Sequence, residues 1–205
     1  MKTMLAILAI LVMLGAFVPT AVFAKDIRVE KPTIVVGQSW TYRNTYGQLS
    51  TRTIESVEQD GGFTTRLEGY GGTIGKEVFT SGLNIRIDHG RTFEPYGVRY
   101  SFPFGGDAKK EWSGTYTFPH LRTGETVTVK ATVKLGEWAQ VKVPAGTFDA
   151  IEIIRRGDYR LQSGHANYFV ERTFWAPAVG SHVKRTFMDY GSRVGPRTFE
   201  LVRFR

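Results

Sequence analysis

The sequence contains no cysteine. This absence excludes a disulfide framework, a thiolate metal ligand, a thiol nucleophile and the attachment point that a lipoprotein needs for its lipid. Small secreted domains often rely on disulfides because their cores are too small. This chain has 4 Trp, 9 Tyr and 14 Phe, and each contributes about 2 kcal/mol when buried. The fold is therefore expected to be stabilised by an aromatic interior.

Long hydrophobic runs are also missing, apart from one at the N terminus. Lys2 precedes the apolar residues 5–18, Pro19 interrupts them, and Val22 and Ala24 are suitable residues at the −3 and −1 positions of a cleavage site. This pattern predicts a signal peptide, residues 1–24, that is cleaved after Ala24. The alternative is an uncleaved membrane anchor, because the uncharged run is nearly long enough to span a bilayer. We expect an exported, periplasmic or secreted protein with a single β-rich domain at residues 25–205.

Sustained helical periodicity is absent after the leader, and alternation of polar and apolar residues replaces it. In the clearest segment, residues 126–135, valine, alanine and leucine alternate with threonine and lysine, which predicts a strand with one buried face. Turn sequences rich in glycine, aspartate and proline separate the alternating segments. The pattern predicts an all-β, mostly antiparallel curved sheet or open β-barrel of about ten strands. The other predicted strands lie at residues 40–46, 50–58, 63–70, 84–88, 97–102, 150–156, 168–175, 183–188 and 198–204.

The whole chain has a formal net charge of +8, and most of this positive charge lies in its C-terminal part. Residues 155–205 contain 10 basic and 4 acidic residues, whereas residues 25–154 are nearly balanced. Such a region suits an anionic envelope component such as a lipid head group or an acidic polymer. The alternative is a solvated face of arginines on edge strands. Export argues against nucleic acid as a partner.

Signatures of catalysis, metal binding or cofactor binding are scarce. The chain lacks a G-x-S-x-G elbow, and its four histidines show no close ligand spacing, so solvated or capping roles are favoured for His89, His120, His165 and His182. The glycine-rich residues 68–76 fail the phosphate-loop pattern at Tyr70 and at Glu77, and we interpret them as a flexible turn. No cofactor is predicted.

Several carboxylates remain candidates for glycoside hydrolysis, which requires two of them to face each other. Their separations cannot be derived from the sequence, so this function has no positive support. The candidates are Glu94, Glu111, Asp149 and Glu152.

Two motifs in the second half of the chain predict tight reversals between strands. In V-P-A-G-T-F, residues 143–148, proline suits a type I turn and the following glycine a left-handed residue, which gives a hairpin that fixes strand register. In F-W-A-P-A-V-G-S-H-V-K-R, residues 174–185, a strand ends at a proline bend and returns after a glycine. The residues that define both motifs are Val143, Pro144, Ala145, Gly146, Thr147, Phe148, Phe174, Trp175, Pro177, Gly180, Lys184 and Arg185.

These two motifs, with V-G-Q-S-W-T-Y-R at residues 36–43, resemble a family of exported bacterial domains of unknown function, the TapB-like or DUF3108-like group. The resemblance implies an exported β-rich domain shaped like the open barrels of lipoprotein carriers. It brings no catalytic residues to this chain. Because the chain has no cysteine, a lipoprotein form of the family does not apply to it.

The sequence therefore predicts a non-enzymatic, exported bacterial envelope protein that binds an amphiphilic or apolar ligand in a curved β-sheet. The expected partner is a lipid, another amphiphile or an anionic envelope component. The alternative is an interaction module that pairs with another envelope protein through a sheet edge or an aromatic patch. An envelope hydrolase is the least supported of the three.

Overall fold

The computed structural model describes residues 28–69 and 72–205. The predicted signal peptide and its cleavage site lie outside these residues, as do Tyr70 and Gly71 in the glycine-rich segment. The described residues form strands and turns without any helix. It follows that no described helix is long and apolar enough to cross a membrane.

Twelve strands follow one another along the described chain. Their bounds are β1 Ser39–Asn44, β2 Leu49–Val57, β3 Phe63–Gly69, β4 Gly72–Phe79, β5 Ile85–Asp88, β6 Arg91–Gly97, β7 Glu111–Pro119, β8 Thr126–Val143, β9 Gly146–Leu161, β10 Ala166–Ala176, β11 Ser181–Asp189 and β12 Arg197–Phe204.

Each strand pairs antiparallel with the next, and β12 returns to pair with β1, so the sheet closes into a barrel. The predicted all-β antiparallel architecture is confirmed, with twelve strands and a closed sheet. Because the strands run alternately up and down, their connections fall into two sets, one at each end of the barrel. We call one end the mouth, where the connections include residues 89–90, 120–125, 162–165 and 190–196. The opposite, closed end carries residues 98–110, 144–145 and 177–180.

Side chains alternate between the interior and the solvent along the strands, as β geometry requires. On β9, Ile151, Ile153 and Arg155 are buried, whereas Arg156 and Asp158 are exposed. A charged residue at an inward position of a closed barrel is therefore enclosed with the core, whatever its hydrophilicity.

An aromatic cluster fills the barrel toward its closed end, and we call it the aromatic plug. The connection between β6 and β7 turns inward, so that Phe104 is 0% exposed and its backbone bridges to Val29. Ring centroids of Tyr100 and Phe102 lie 5.0 and 5.5 Å from that of Trp175 on β10. Such tilted and edge contacts are favourable for aromatic rings. The plug consists of Tyr100, Phe102, Phe104, Trp112 and Trp175.

The hairpin at residues 143–148 packs against β12 at the closed end. Pro144 and Ala145 join β8 to β9, and Gly146 has a φ of 138°, in a region that favours glycine. The Ala145 amide donates to the Leu201 carbonyl over 3.0 Å. The Phe148 ring lies 6.0 Å from Phe204. The tip therefore joins two parts of the barrel that are remote in sequence.

Three strands depart from the sequence prediction. β6 and β7 were not predicted, and residues 98–102, which were predicted to be a strand, belong to the connection into the aromatic plug. The glycine-rich segment was predicted to be a flexible turn, yet β4 begins at Gly72 and pairs with β3. Gly75 has a φ of 149° next to a register shift, so the glycine serves a β-bulge inside a strand.

Replacement of Phe104 by alanine tests the importance of the plug. We expect Phe104→Ala to lower the free energy of unfolding by about 3–5 kcal/mol, because it leaves a cavity in a packed interior. Urea denaturation followed by tryptophan fluorescence measures this change. Tyr46→Ala is the control, because Tyr46 is 66% exposed and its removal should cost less than about 0.5 kcal/mol. Equal stabilities of the two variants would contradict the role given to the plug.

Candidate functional site

A cavity of about 890 Å³ lies between the aromatic plug and the mouth. Its walls are inward-facing side chains of several strands, and its rim is formed by connections at the mouth. Binding sites for small ligands commonly have volumes of about 300–1,000 Å³. The cavity therefore has the dimensions of a ligand site.

Aromatic rings form much of the cavity wall. The centroid of Phe93 lies 4.9 Å from that of Phe118 and 5.8 Å from that of Tyr116. On the part of the wall formed by β10 and β11, the ring centroids of Phe169 and Phe187 lie 5.3 Å apart. Rings of this kind offer an apolar surface to the alkyl or ring portion of a ligand.

A buried ion pair marks the floor of the cavity. Arg155 on β9 and Glu171 on β10 are direct cross-strand neighbours, and Arg155 Nη2 donates to Glu171 Oε2 over 3.2 Å. Arg155 Nη1 also donates to the Val98 carbonyl and to the Tyr116 hydroxyl, both over 3.4 Å. The guanidinium lies over the Phe169 ring, 4.8 Å from its centroid. These contacts hold Arg155 in one orientation.

Arg99 reaches the same carboxylate from the connection between β6 and β7. The Asn84 side-chain carbonyl accepts hydrogen bonds from the backbone amides of Arg99 and Tyr100, over 2.7 and 2.9 Å. This clamp directs the loop inward and brings Arg99 Nε within 3.9 Å of Glu171 Oε1. The Arg99 side chain is 21% exposed, and it lines the cavity.

Arg185 on β11 is the third arginine at the floor. Its guanidinium lies 4.6 Å from the centroid of the Phe199 ring, and its side chain lines the cavity. Among the described residues it makes no ion pair within 4.0 Å. We refer to Arg99, Arg155 and Arg185 together as the arginine cluster.

The arginine cluster holds more positive charge than its carboxylate neutralises. Burial alone disfavours ionised Glu171, but the charges of Arg155, Arg99 and Arg185 outweigh burial and hold its pKa below the usual range. Burial and the nearby arginines lower the pKa of Arg185, which is the expected response of a cation in a positive, desolvated environment.

Another buried pair, on β2 and β4, is balanced. Arg52 forms a two-pronged ion pair with Glu77, with an Nη2–Oε1 distance of 2.8 Å, and Thr65 donates to the same carboxylate. Despite burial, Arg52 lowers the pKa of Glu77. The unbalanced charge of the interior is therefore at the arginine cluster.

Carboxylates near the mouth already have protein partners. Asp88 pairs with His89 and, over 2.9 Å, with Arg91, and Asp189 accepts from the Tyr159 hydroxyl over 3.0 Å. Burial and this hydrogen bond raise the pKa of Tyr159 to about 12. Among the described residues, six arginines and four carboxylates line the cavity, so its surface carries a positive excess.

The residues of the two sequence motifs lie mainly at the closed end, remote from the mouth. Trp175 belongs to the aromatic plug, and Lys184 on β11 pairs with Glu200 over 3.0 Å. Gly180, with a φ of 64°, ends the turn into β11, and the Val179 carbonyl before it accepts from the Trp40 indole. Of the motif residues, Arg185 lines the cavity.

The histidines are dispersed. His120 and His165 line the cavity near the mouth, whereas His182 is buried and stacks on Tyr42 with centroids 4.4 Å apart. Burial and the neighbouring arginines lower the pKa of His182 well below its ordinary value, so it is neutral. No three histidine, aspartate or glutamate side chains of the described residues are grouped as metal ligands would be.

The four carboxylates considered for glycoside hydrolysis lie outside the cavity lining. Glu111 pairs with Lys134 over 3.2 Å and Glu152 with Arg172 over 3.4 Å. Glu94 and Asp149 are exposed.

Sequence reasoning missed Arg155 and Glu171, although a usable signal was present. In the predicted strand at residues 150–156, Ile151 and Ile153 share one face, and the same alternation continues inward to Arg155. On β10, Phe169 and Trp175 bracket Glu171 at the same parity. A charged residue between apolar residues of one parity would have indicated an enclosed ionic site.

Replacement of Glu171 by glutamine tests the buried charge balance. We expect Glu171→Gln to lower the free energy of unfolding at neutral pH by about 3 kcal/mol, because buried guanidiniums lose their carboxylate. Since the folded pKa of Glu171 is lowered, its contribution is complete above the ordinary glutamate pKa of about 4.3 and is lost as pH falls through the folded value. The variant should therefore lose less stability than the wild type on acidification.

Urea unfolding between neutral pH and about pH 3 measures both effects. Glu68→Gln is the control, because Glu68 belongs to an exposed pair with Arg66 that should contribute about 0–1 kcal/mol. An identical acid dependence in wild type and Glu171→Gln would contradict the assignment.

No family model and no curated protein matches this sequence, so the resemblance to the TapB-like group stays a prediction. Similarity is found among solved structures. A candidate lipoprotein from Parabacteroides distasonis aligns with a TM-score of 0.56 at 12% identity, over 86% of this chain and 99% of that one. A candidate exported protein with a YmcC-like fold from Bacteroides fragilis gives 0.45 at 10% identity, over 87% and 100%. The hypothetical lipoprotein YmcC from Escherichia coli gives 0.49 at 10% identity, over 82% and 85%. With a TM-score of 0.56 at 12% identity, the Parabacteroides structure shows that the two proteins share a fold.

Proposed function

We propose that this protein is an exported envelope protein that binds an amphiphilic or apolar ligand inside its barrel. The observation that carries the proposal is the cavity of about 890 Å³, with aromatic walls and a charged floor. A site that combines apolar walls with a few convergent polar groups is typical of small-molecule binding.

The two surfaces of the cavity would act on different parts of the ligand. Phe93, Phe118 and Phe187 would remove the apolar part from water, which is favourable by about 25 cal/mol per Å² of buried surface. The polar floor would fix the orientation of the molecule. Entry would take place at the mouth, because the plug fills the other end of the barrel.

Export is supported by the sequence pattern that ends at Ala24. The fold neighbour from Parabacteroides distasonis, a candidate lipoprotein, agrees with an envelope location. An interaction module remains the alternative, with less support for pairing through a sheet edge because each described strand has a neighbour on both sides. Hydrolysis has less support still, since the carboxylates proposed for it lie outside the cavity lining.

Recovery of the native ligand is the direct test. The protein should be purified from its own compartment without detergent, extracted with organic solvent, and the extract analysed by mass spectrometry. We expect a lipid or another amphiphile at a stoichiometry near that of the protein. An extract without such a molecule, from a protein that also fails to take up the neutral fluorophore N-phenylnaphthylamine, would reject the proposal.

A variant that fills the cavity tests the location of the ligand. Leu161 lines the cavity at the end of β9, so Leu161→Trp should reduce uptake of N-phenylnaphthylamine about tenfold by occupying the binding volume. Fluorescence titration measures the affinity, and circular dichroism checks the fold. The matched control is Leu49→Trp, because Leu49 is exposed on β2 and lies outside the cavity lining. Equal loss of binding in both variants, or in neither, would place the ligand elsewhere.

A further inference from the structure

We infer that the arginine cluster is an anion-binding subsite, and that the ligand in the cavity is an amphiphile whose carboxylate or phosphate head group binds at the floor. This inference rests on the proposed function, because it specifies the chemistry of a ligand bound inside the barrel. Charge, hydrogen-bonding capacity and the arrangement of the cavity support it independently.

The charge argument follows from the nature of the groups. Arg99, Arg155 and Arg185 carry three positive charges, and among the described residues only Glu171 supplies a carboxylate within 4.0 Å of any of them. An unpaired charge in a protein interior costs several kcal/mol. A lysine or a histidine could lose its proton in response, but a guanidinium keeps its proton at any physiological pH. A bound anion would offset the remaining charge.

Unused hydrogen-bond donors point to the same ligand. The Nε atoms of Arg99, Arg155 and Arg185 are buried, and none of them has an acceptor among the described residues. Arg155 itself is only 6% exposed. Buried donors are normally paired, and leaving one unpaired costs about 1–3 kcal/mol. Carboxylate and phosphate oxygens are the acceptors that suit a guanidinium best.

Aromatic side chains of the cavity wall lie next to this subsite. Arg155 lies against Phe169, and Phe187 follows Arg185 at the same inward parity of β11. When the anionic head group of a ligand binds at the floor, the rest of the molecule would therefore lie in an environment suited to an alkyl chain or a ring system. Among the described residues nearer the mouth, three arginines and three carboxylates line the cavity, so the positive excess of the lining lies at the floor.

Arg185 is the best position for a mutational test. Its removal leaves Glu171 with Arg155 and Arg99, so no carboxylate loses its last partner. Arg185→Met keeps much of the length and apolar volume of the side chain but removes the charge. Arg185→Lys keeps the charge and loses the planar fork of donors. Lys184→Met is the matched control, because Lys184 is the adjacent residue, pairs with Glu200 and does not line the cavity.

The experiment compares ligands with the same chain and different head groups. Dodecanoate, dodecyl phosphate and dodecanol compete with N-phenylnaphthylamine for the wild-type protein, and inorganic phosphate and acetate are tested alone. We expect both anionic amphiphiles to bind at least about tenfold more tightly than dodecanol. The free anions at the same concentrations should leave the probe bound, because they lack the chain.

The variants should change only the discrimination between head groups. Arg185→Met should weaken binding of the anionic amphiphiles about tenfold and leave the affinity for dodecanol unchanged, whereas Arg185→Lys should retain most of the preference. Glu171→Gln should strengthen anion binding, because it removes the competing carboxylate. Lys184→Met should behave as wild type.

The possible failures are distinguishable. Equal affinity for dodecanol and dodecanoate, or an unchanged preference in Arg185→Met, would overturn the anion subsite and leave the proposed function standing. If inorganic phosphate displaced the probe as effectively as dodecyl phosphate does, the inference that the ligand is an amphiphile would be wrong. Failure of the probe and of all three amphiphiles to bind would reject the proposed function itself.

Discussion

The ion pair between Arg155 and Glu171 is the interaction on which the interior of the barrel depends. The two residues face each other across β9 and β10, so their contact is set by the register of those strands. Without the carboxylate, Arg99, Arg155 and Arg185 would form a cluster of cations with no carboxylate of the described residues within 4.0 Å. Because these side chains point into a closed barrel, their charges must be neutralised by groups inside the barrel.

The barrel divides its interior between packing and recognition. Toward the closed end, Phe104 and Trp175 fill the space with aromatic rings, as a small stable core requires. Toward the mouth the rings line a cavity and do not fill it. The connection that carries Phe104 also carries Arg99, which Asn84 holds in place. One inward loop therefore completes the core and supplies part of the charged floor.

Alternation in the sequence was sufficient to predict the fold class and most of the strands, because polar and apolar residues separate cleanly in segments such as β8. The prediction failed where that separation is weak. Proline and glycine obscure β6, and a bulge at Gly75 gives β4 the composition of a turn. The site was harder to predict, because Arg155 and Glu171 are 16 residues apart and each resembles a solvent-facing charge. Only inward parity identifies them, and parity becomes decisive once the sheet is known to close.

Closure of the barrel also has a consequence for how the chain folds. Consecutive hairpins form eleven of the twelve strand pairings, whereas the twelfth joins Trp40 to Phe204 across nearly the whole described chain. Loop closure costs little entropy for a local hairpin, and it costs the most for the pairing of β1 with β12. We therefore expect β1 and β12 to meet late, so that a nascent chain exposes two unpaired edges until they do. Misassembly between chains would begin at those edges. The hairpin tip at Ala145 binds Leu201 on β12, next to the pairing of β1 with β12 that covers both edges.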